Sequence, residues 1–248
     1  LDDYTSEEIA ACVEEAYGSS FDTPAITPVT PLGNDWLLEL YHGPTCAFKD
    51  VALQMLPRLM SKAHAQSDQN IMIVTATSGD TGKAALAGFA GVPGTGICVF
   101  YPEGKVSDVQ RLQMVTQTGS NVEVCAVSGN FDDVQTEVKH IFADKNLAGR
   151  LHTSNIALSS ANSINIGRLV PQVVYYFDAY AQLVRSGTLK KGESVEFCVP
   201  TGNFGDVLAG YYAKLMGLPV ARLVVASNSN DVLCDFIESG VYDRRRPF

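Results

Sequence analysis

The chain has 248 residues, of which 46% are hydrophobic and 18% charged, and its formal net charge is −9. This length corresponds to one large or two modest domains, which can bury a core without help from disulfides or a structural metal. Proteins that bind nucleic acid usually present a basic face, and the only basic run here is Arg244–Arg246. The composition therefore argues against a nucleic-acid partner.

The cysteines and the uncharged stretches indicate the cellular compartment of the protein and whether it spans a membrane. Six cysteines are scattered along the chain without a Cys-x-x-Cys pair, a pattern typical of reduced, cytoplasmic proteins without a metal site. The longest uncharged stretch, residues 84–102, is interrupted by glycines and a proline, so we expect no membrane span. We expect a cytoplasmic protein with no membrane partner and leave its oligomeric state open.

The first 64 residues predict two helices and one strand. Residues 5–17 form a capped amphipathic pattern that predicts a helix. A proline-containing extended connector and a strand over 36–40 follow, and the next helix spans 48–64 with Pro57 inside it.

From residue 71 onward, short β-branched runs alternate with helical patterns. The predicted strands are 71–75, 96–101, 122–127, 195–199 and 221–226. The predicted helices are 83–90, 106–118, 131–142, 164–181 and 207–216. This alternation predicts parallel strands joined by crossover helices, hence an α/β fold.

Two glycine-containing loops, residues 78–82 and 200–205, each follow a strand and open a helix. Backbone N–H groups in such a loop can approach a ligand closely, and a helix N-terminus favours an anion. Both loops are therefore candidate anion sites, although small residues can also serve only as tight turns. A nucleotide P-loop is excluded, because its pattern requires glycine and serine or threonine where Thr77 and Ala84 stand. The dinucleotide pattern GxGxxG is also missing.

Lys49 lies in the segment HGPTCAFKD, where a turn becomes a helix. A desolvated lysine can have a lowered pKa and form a Schiff base with an aldehyde. The alternative is a surface lysine paired with Asp50.

These segments together resemble the bacterial and fungal type of threonine synthase. HGPTCAFKD matches the lysine motif of that family, and the resemblance extends from about Tyr4 to about Asp243. The further landmarks are, in order, ATSGDTG at 76–82, YPEGKVS at 101–107, SSANSINIGR at 159–168 and PTGNFGD at 200–206.

The resemblance implies a fold-type II pyridoxal-phosphate enzyme, related to the tryptophan synthase β subunit. Such an enzyme has two open parallel-sheet domains with helices on both faces. Residues 1–45 and 173–248 would belong to the larger domain, and 46–172 would form the smaller one. Family members extend beyond this chain at both ends, so we expect part of the C-terminal region, including the residue facing the pyridine nitrogen, to lie outside it.

The resemblance also implies an activity, the conversion of O-phospho-L-homoserine and water to L-threonine and phosphate. Lys49 would hold pyridoxal 5′-phosphate as a Schiff base, and its phosphate would lie in the loop formed by Gly202, Asn203, Phe204 and Gly205. Residues implied to contact the substrate or the cofactor face are Ser78, Asp80, Thr81, Lys105, Ser107, Asn162, Ser163, Asn165 and Arg168. Two alternatives stay open: a threonine-synthase-like phospholyase that releases a keto acid, and a non-catalytic cofactor-binding fragment.

Two positions depart from the family pattern. Cys46 stands where the family commonly has leucine, and Lys83 stands where relatives often have alanine. Lys83 could add an anion contact or be only a solvated charge.

Overall fold

The structure is a computed structural model, and it describes residues 3–65, 69–162, 165–202, 204–229 and 231–242. The strands of these residues are β1 Val29–Leu32, β2 Asp35–Leu38, β3 Asn70–Ala76, β4 Thr95–Pro102, β5 Val122–Val127, β6 Ile156–Ser159, β7 Val195–Pro200 and β8 Val220–Ala226. The helices are α1 Ser6–Tyr17, α2 Lys49–His64, α3 Asp80–Phe89, α4 Asp108–Val115, α5 Phe131–Ala143, α6 Lys145–Thr153, α7 Ile166–Arg185, α8 Gly205–Leu215 and α9 Val232–Ser239.

The chain divides into two compact units, Leu1–Pro171 and Gln172–Phe248. The first contains a four-stranded sheet of order β5-β4-β3-β6, in which every pairing is parallel. The second contains the parallel pair β7 and β8. The predicted α/β fold with parallel sheets is confirmed.

Alternation along β3 places helices on both faces of the first sheet. Ile71 and Ile73 belong to a core shared with α2, α3 and β4. Val74 belongs to a separate core with Val134 and Val138 of α5. Because successive strand residues point to opposite faces, one strand serves both cores.

In the second unit, α7 and α8 pack against the pair of strands β7 and β8. Tyr176 of α7 meets Phe197 of β7 edge to face, with ring centroids 4.9 Å apart. The hydroxyls of Tyr175 and Tyr176 both donate to Asp206 Oδ1, at 2.6 and 2.8 Å. Since Asp206 lies in the first turn of α8, these bonds fix the beginning of that helix to α7.

Several elements differ from the sequence-based expectation. The predicted connector contains β1, which pairs antiparallel with β2 and accommodates Pro31 opposite Trp36, as an edge strand can. The elements α6, β6 and α9 were not predicted. The strand β6 has only four half-buried residues, and α6 is a short helix with no buried residue, so neither gives a strong periodic signal.

Residues 1–45 lie in the first unit. Cys12 and Ala16 of α1 pack against Met55 of α2, and the Tyr17 hydroxyl donates to the Val51 carbonyl at 2.7 Å. Their predicted membership of a larger domain, together with 173–248, stays a prediction. Among the described residues, no helix is both long enough and apolar enough to span a membrane.

The helices α2 and α3 cross at a glycine. A Cβ atom at Gly88 would lie 1.9 Å from the Leu53 carbonyl oxygen. The usual helical hydrogen bond to that carbonyl would come from residue 57, but this residue is Pro57, which has no backbone N–H. Arg58 Nη1 instead joins the two helices, donating to the carbonyls of Gln54 at 3.0 Å and Gly88 at 2.6 Å. This close crossing packs the N-terminal part of α2 against the C-terminal part of α3.

Gly88→Ala should therefore destabilise the protein, because the added methyl group would force two backbones apart. We expect a loss of roughly 1–3 kcal/mol in the free energy of unfolding, measured by urea denaturation. Gly149→Ala in α6 is the control, since no atom lies within 4 Å of its Cβ position. That change should be neutral or stabilise by up to about 1 kcal/mol. Equal stability of the two variants would contradict the crossing argument.

Candidate active site

The turn before α2 is organised by Asp50. The carboxylate of this residue accepts from Thr45 N at 2.9 Å, Thr45 Oγ1 at 2.7 Å and Ala47 N at 3.3 Å. Asp50 is fully buried, and all these bonds are local to the turn. Asp50 therefore fixes the turn that precedes Lys49, and it is not the ion-pair partner of that lysine.

His42 anchors the other end of this segment. Its Nδ1 lies 2.6 Å from Asp22 Oδ1 and its Nε2 lies 2.7 Å from Glu39 Oε2. The hydrogen bond with Glu39 raises the pKa of His42. Burial opposes this effect, and Asp22 adds to it. The segment HGPTCAFKD is thus held at both ends by carboxylates.

Lys49 is the first residue of α2 and only 9% exposed. Its Nζ lies 3.6 Å from Asp80 Oδ2 and 4.2 Å from the centre of the Phe48 ring. Burial lowers the pKa of Lys49, and the charge of Asp80 opposes that effect. The alternative of a surface lysine is wrong, and a buried amine of this kind suits Schiff-base chemistry.

Asp80 begins α3 and is shared by several donors. Lys83 Nζ lies 3.5 Å from its Oδ1, and Gln110 Nε2 of α4 donates to the same oxygen at 2.6 Å. Burial alone would raise the pKa of Asp80. The net pKa is lowered by the charge of Lys49, the hydrogen bond from Gln110 and the charge of Lys83. Asp80 is therefore a carboxylate at neutral pH.

The amides of the first loop are already occupied in part. Thr77 Oγ1 accepts from Gly79 N at 3.0 Å and Gly82 N at 2.9 Å. Gly79 has φ +139°, and a Cβ atom there would lie 2.2 Å from Gln110 Oε1. The loop is thus filled by side chains of its own unit, and Ser78 is its exposed member.

The remaining predicted residues of the first unit follow β4 and β6. Because the carboxyl ends of parallel strands meet at one edge, the loops after β3, β4 and β6 share that edge of the sheet. The residues brought there are Ser78, Asp80, Thr81, Lys105, Ser107, Asn162, Asn165 and Arg168. Ser163 lies outside the described residues.

Several of these side chains have structural hydrogen bonds. Ser107 caps α4 by accepting from Gln110 N at 3.3 Å, and Asn162 Oδ1 accepts from the Thr75 hydroxyl. Asn165 Nδ2 donates to the Ser160 carbonyl at 2.9 Å. Buried Arg168 donates to the Ala161 carbonyl at 3.2 Å, and its charge helps to lower the pKa of Lys49.

The second loop lies in the other unit, between β7 and α8. Among the residues that the structure describes, no atom lies within 4 Å of a Cβ built at Gly202, and the N-cap residue Phe204 makes no side-chain capping bond. Gly205 is the first residue of α8, and Asn203 lies outside the described residues. The described part of this loop therefore has open space beside Gly202. It precedes an 11-residue helix whose first N–H groups receive no hydrogen bond from the side chain of the N-cap residue.

Sequence reasoning missed the residues that hold the site together from a distance. Gln110 and Gln113 stand one turn apart on α4, and Gln113 Nε2 donates to the Thr45 carbonyl at 3.4 Å. Their spacing of three residues indicates a shared helix face. Nothing local in the sequence indicates that the face meets Asp80 and Thr45.

Comparisons with known proteins show which family the chain belongs to. The family described as "Pyridoxal-phosphate dependent enzyme" matches residues 24–247. The chain belongs to that family.

Several similar proteins are named threonine synthase or threonine synthase-like. A threonine synthase of Pseudomonas aeruginosa is 47% identical over 233 residues, which cover 94% of this chain and 47% of that protein. Human "Threonine synthase-like 1" is 44% identical over 250 residues, covering 98% and 34%. The structure of a pyridoxal-phosphate-bound threonine synthase from Brucella melitensis matches with a TM-score of 0.86 at 46% identity, covering 97% of this chain and 50% of that one. The chain thus spans about a third to a half of these proteins.

The residues present fit the family's cofactor. A buried amine with a lowered pKa can bond to an aldehyde carbon, and the loop after β7 offers an open helix N-terminus to a phosphate.

Asp80→Asn tests the electrostatics of Lys49. The carboxylate favours the ammonium form, so its removal should lower the pKa of Lys49 and increase the fraction of free amine. In cofactor-free protein at neutral pH, acylation of Lys49 by acetic anhydride should become roughly three- to tenfold faster, as measured by mass spectrometry. Asp108→Asn is the control, because Asp108 is an exposed residue of α4 that pairs with Arg111 at 3.8 Å. A slower reaction in D80N would contradict the assignment.

Proposed function

We propose that this chain is the part of a threonine synthase that contains the cofactor lysine, and that the protein converts O-phospho-L-homoserine and water to L-threonine and phosphate. The observation that supports this most strongly is buried Lys49, paired with Asp80 at the carboxyl edge of a parallel sheet. The substrate and the reaction come from the similarity to proteins named threonine synthase.

In this proposal Lys49 Nζ holds pyridoxal phosphate covalently through the aldehyde carbon of the cofactor. When bound, this cofactor supplies a conjugated ring that stabilises negative charge next to the substrate carbon atoms. Lys49 Nζ, once released, is the group that accepts and returns protons at those carbons. Its low exposure and lowered pKa support this role, because only the neutral amine can take a proton.

The loop of Gly202, Asn203, Phe204 and Gly205 is proposed to bind the cofactor phosphate. The residue pattern alone makes both glycine loops candidate anion sites, and the family resemblance implies the second for the cofactor phosphate. Thr77 occupies two amides of the first loop, whereas a Cβ atom at Gly202 would meet open space. This difference favours the second loop for the phosphate and leaves the first loop to position Asp80.

The first unit supplies the proposed substrate contacts. Arg168 is a buried cation at the shared edge, and Lys105 is an exposed cation after β4. Both suit the anionic ends of O-phospho-L-homoserine, a phosphate and a carboxylate. The hydroxyl and amide side chains proposed to complete this set are Ser78, Thr81, Ser107, Asn162, Ser163 and Asn165.

A cytoplasmic location is also proposed. All six cysteines of the chain, each within the described residues, are unpaired, as is usual in a reducing compartment.

The reaction is tested on the whole protein with O-phospho-L-homoserine. We expect equal amounts of phosphate and L-threonine from the wild type, and a loss of at least about a thousandfold in Lys49→Ala. Borohydride reduction of the loaded protein, followed by peptide mapping, should place the cofactor on Lys49. Phosphate accompanied by a keto acid would identify a phospholyase instead. A cofactor-loaded protein that releases neither product would contradict an enzymatic role.

Gly202→Val tests the phosphate loop. Because the Cβ position is free of protein atoms, the fold should tolerate the change, while the side chain would obstruct a phosphate that approaches the backbone. We expect the Kd for pyridoxal phosphate to rise tenfold or more, roughly 1.4 kcal/mol, with an unchanged Tm of the cofactor-free protein. Ala221→Val, at an exposed position of β8, is the control for added volume. Unchanged cofactor affinity in G202V would show that this loop is only a turn.

A further inference from the structure

Lys83 is a second buried ammonium group beside the proposed cofactor lysine. It is only 8% exposed, so it is not the solvated charge that one reading of the sequence allowed. Its Nζ lies 3.5 Å from Asp80 Oδ1 and donates to the Thr45 carbonyl at 3.1 Å. It therefore joins the first turn of α3 to the turn that precedes Lys49.

A buried ammonium group is costly unless charge and hydrogen bonds compensate for its lost hydration. Asp80 is the acidic partner of Lys83, and the same carboxylate faces Lys49 at 3.6 Å. One anionic group thus serves two ammonium groups from different helices, each through a different oxygen. Neither lysine has the carboxylate to itself.

We propose that Lys83 is a positioning residue for Lys49: by sharing the Asp80 carboxylate, it prevents that carboxylate from holding Lys49 as its sole ammonium partner. Lys49 Nζ is then free to exchange its ion pair for a bond to the cofactor aldehyde. When it does so, Lys83 remains as the counter-ion of Asp80, and the carboxylate keeps its place.

The charges around Lys49 support this role. The groups facing it are Asp80 and Lys83 from α3 and Arg168 from α7. After burial, Asp80 is the influence that raises the pKa of Lys49, and both Arg168 and Lys83 lower it. Asp50 lies near Lys83, but its carboxylate is bonded within the turn. Removing Lys83 would leave Asp80 to stabilise the protonated form of Lys49 with less opposition.

This inference rests on the proposed role of Lys49, and it is tested by a measurement that needs no catalysis. In the cofactor-free whole protein, Lys49 is acylated by acetic anhydride over a range of pH, with exposed Lys145 as the internal reference. Lys83→Met should make Lys49 react roughly two- to threefold more slowly at neutral pH, because less of it is free amine. The pH midpoint of the reaction should move upward, opposite in direction to that of Asp80→Asn.

Two further variants separate the charge of Lys83 from its hydrogen bond, and a third is a control. Lys83→Gln keeps a donor for the Thr45 carbonyl but removes the charge, and should behave as K83M does. Lys83→Arg keeps the charge and should restore the wild-type profile. Lys139→Met, at an exposed position of α5, should change nothing.

A wild-type profile in both K83M and K83Q would overturn the proposal, as would a profile in K83R that matches K83Q. If K83M does not fold, the comparison of K83Q with K83R decides. The proposed function fails separately, if borohydride reduction attaches the cofactor to a lysine other than Lys49.

Discussion

The Asp80 carboxylate is the interaction on which the arrangement of the site depends. It faces Lys49 of α2 and Lys83 of α3 and accepts from Gln110 of α4. Three helices that cover one face of the sheet are thereby joined at their N-terminal halves. Since the close crossing at Gly88 sets the distance between α2 and α3, core packing and site electrostatics constrain each other: a shift of either helix would change the distances to a shared carboxylate.

The two glycine loops show how similar sequence patterns can differ in local structure. Both follow a parallel strand and open a helix, and both are rich in small residues. In the first, Thr77 accepts from two loop amides and Gln110 fills the space beside Gly79. In the second, a Cβ atom at Gly202 would face open space, and Asp206 accepts hydrogen bonds from two tyrosine hydroxyls of α7. A helix start whose N-cap residue, Phe204, makes no side-chain capping bond is suited to a ligand that supplies acceptors for the first N–H groups.

The sequence predicted the features that depend on local patterns. The α/β alternation, the strand β5 and the helix start at Lys49 follow from periodicity and turn residues. The short strand β6 and the bonds from Gln110 and Gln113 could not be predicted, because they depend on which elements become neighbours. The burial of Lys83 belongs to the same class: a lysine is usually exposed, whereas this one is buried and donates to the Thr45 carbonyl in the turn before α2.

The chain is acidic as a whole, yet its candidate site concentrates positive charge. Lys49, Lys83 and Arg168 are all buried, and Asp80 is the carboxylate shared between the two lysines. Asp50 is a fully buried acid nearby, and its oxygens are already bonded to the turn. Since interactions at a partly desolvated site exceed the screened effect of distant surface charges, a net charge of −9 does not prevent anion binding. This local excess of cations suits the proposed substrate, which has two anionic ends. Burial, Arg168 and Lys83 also lower the pKa of Lys49 and so oppose Asp80, which favours the ammonium form.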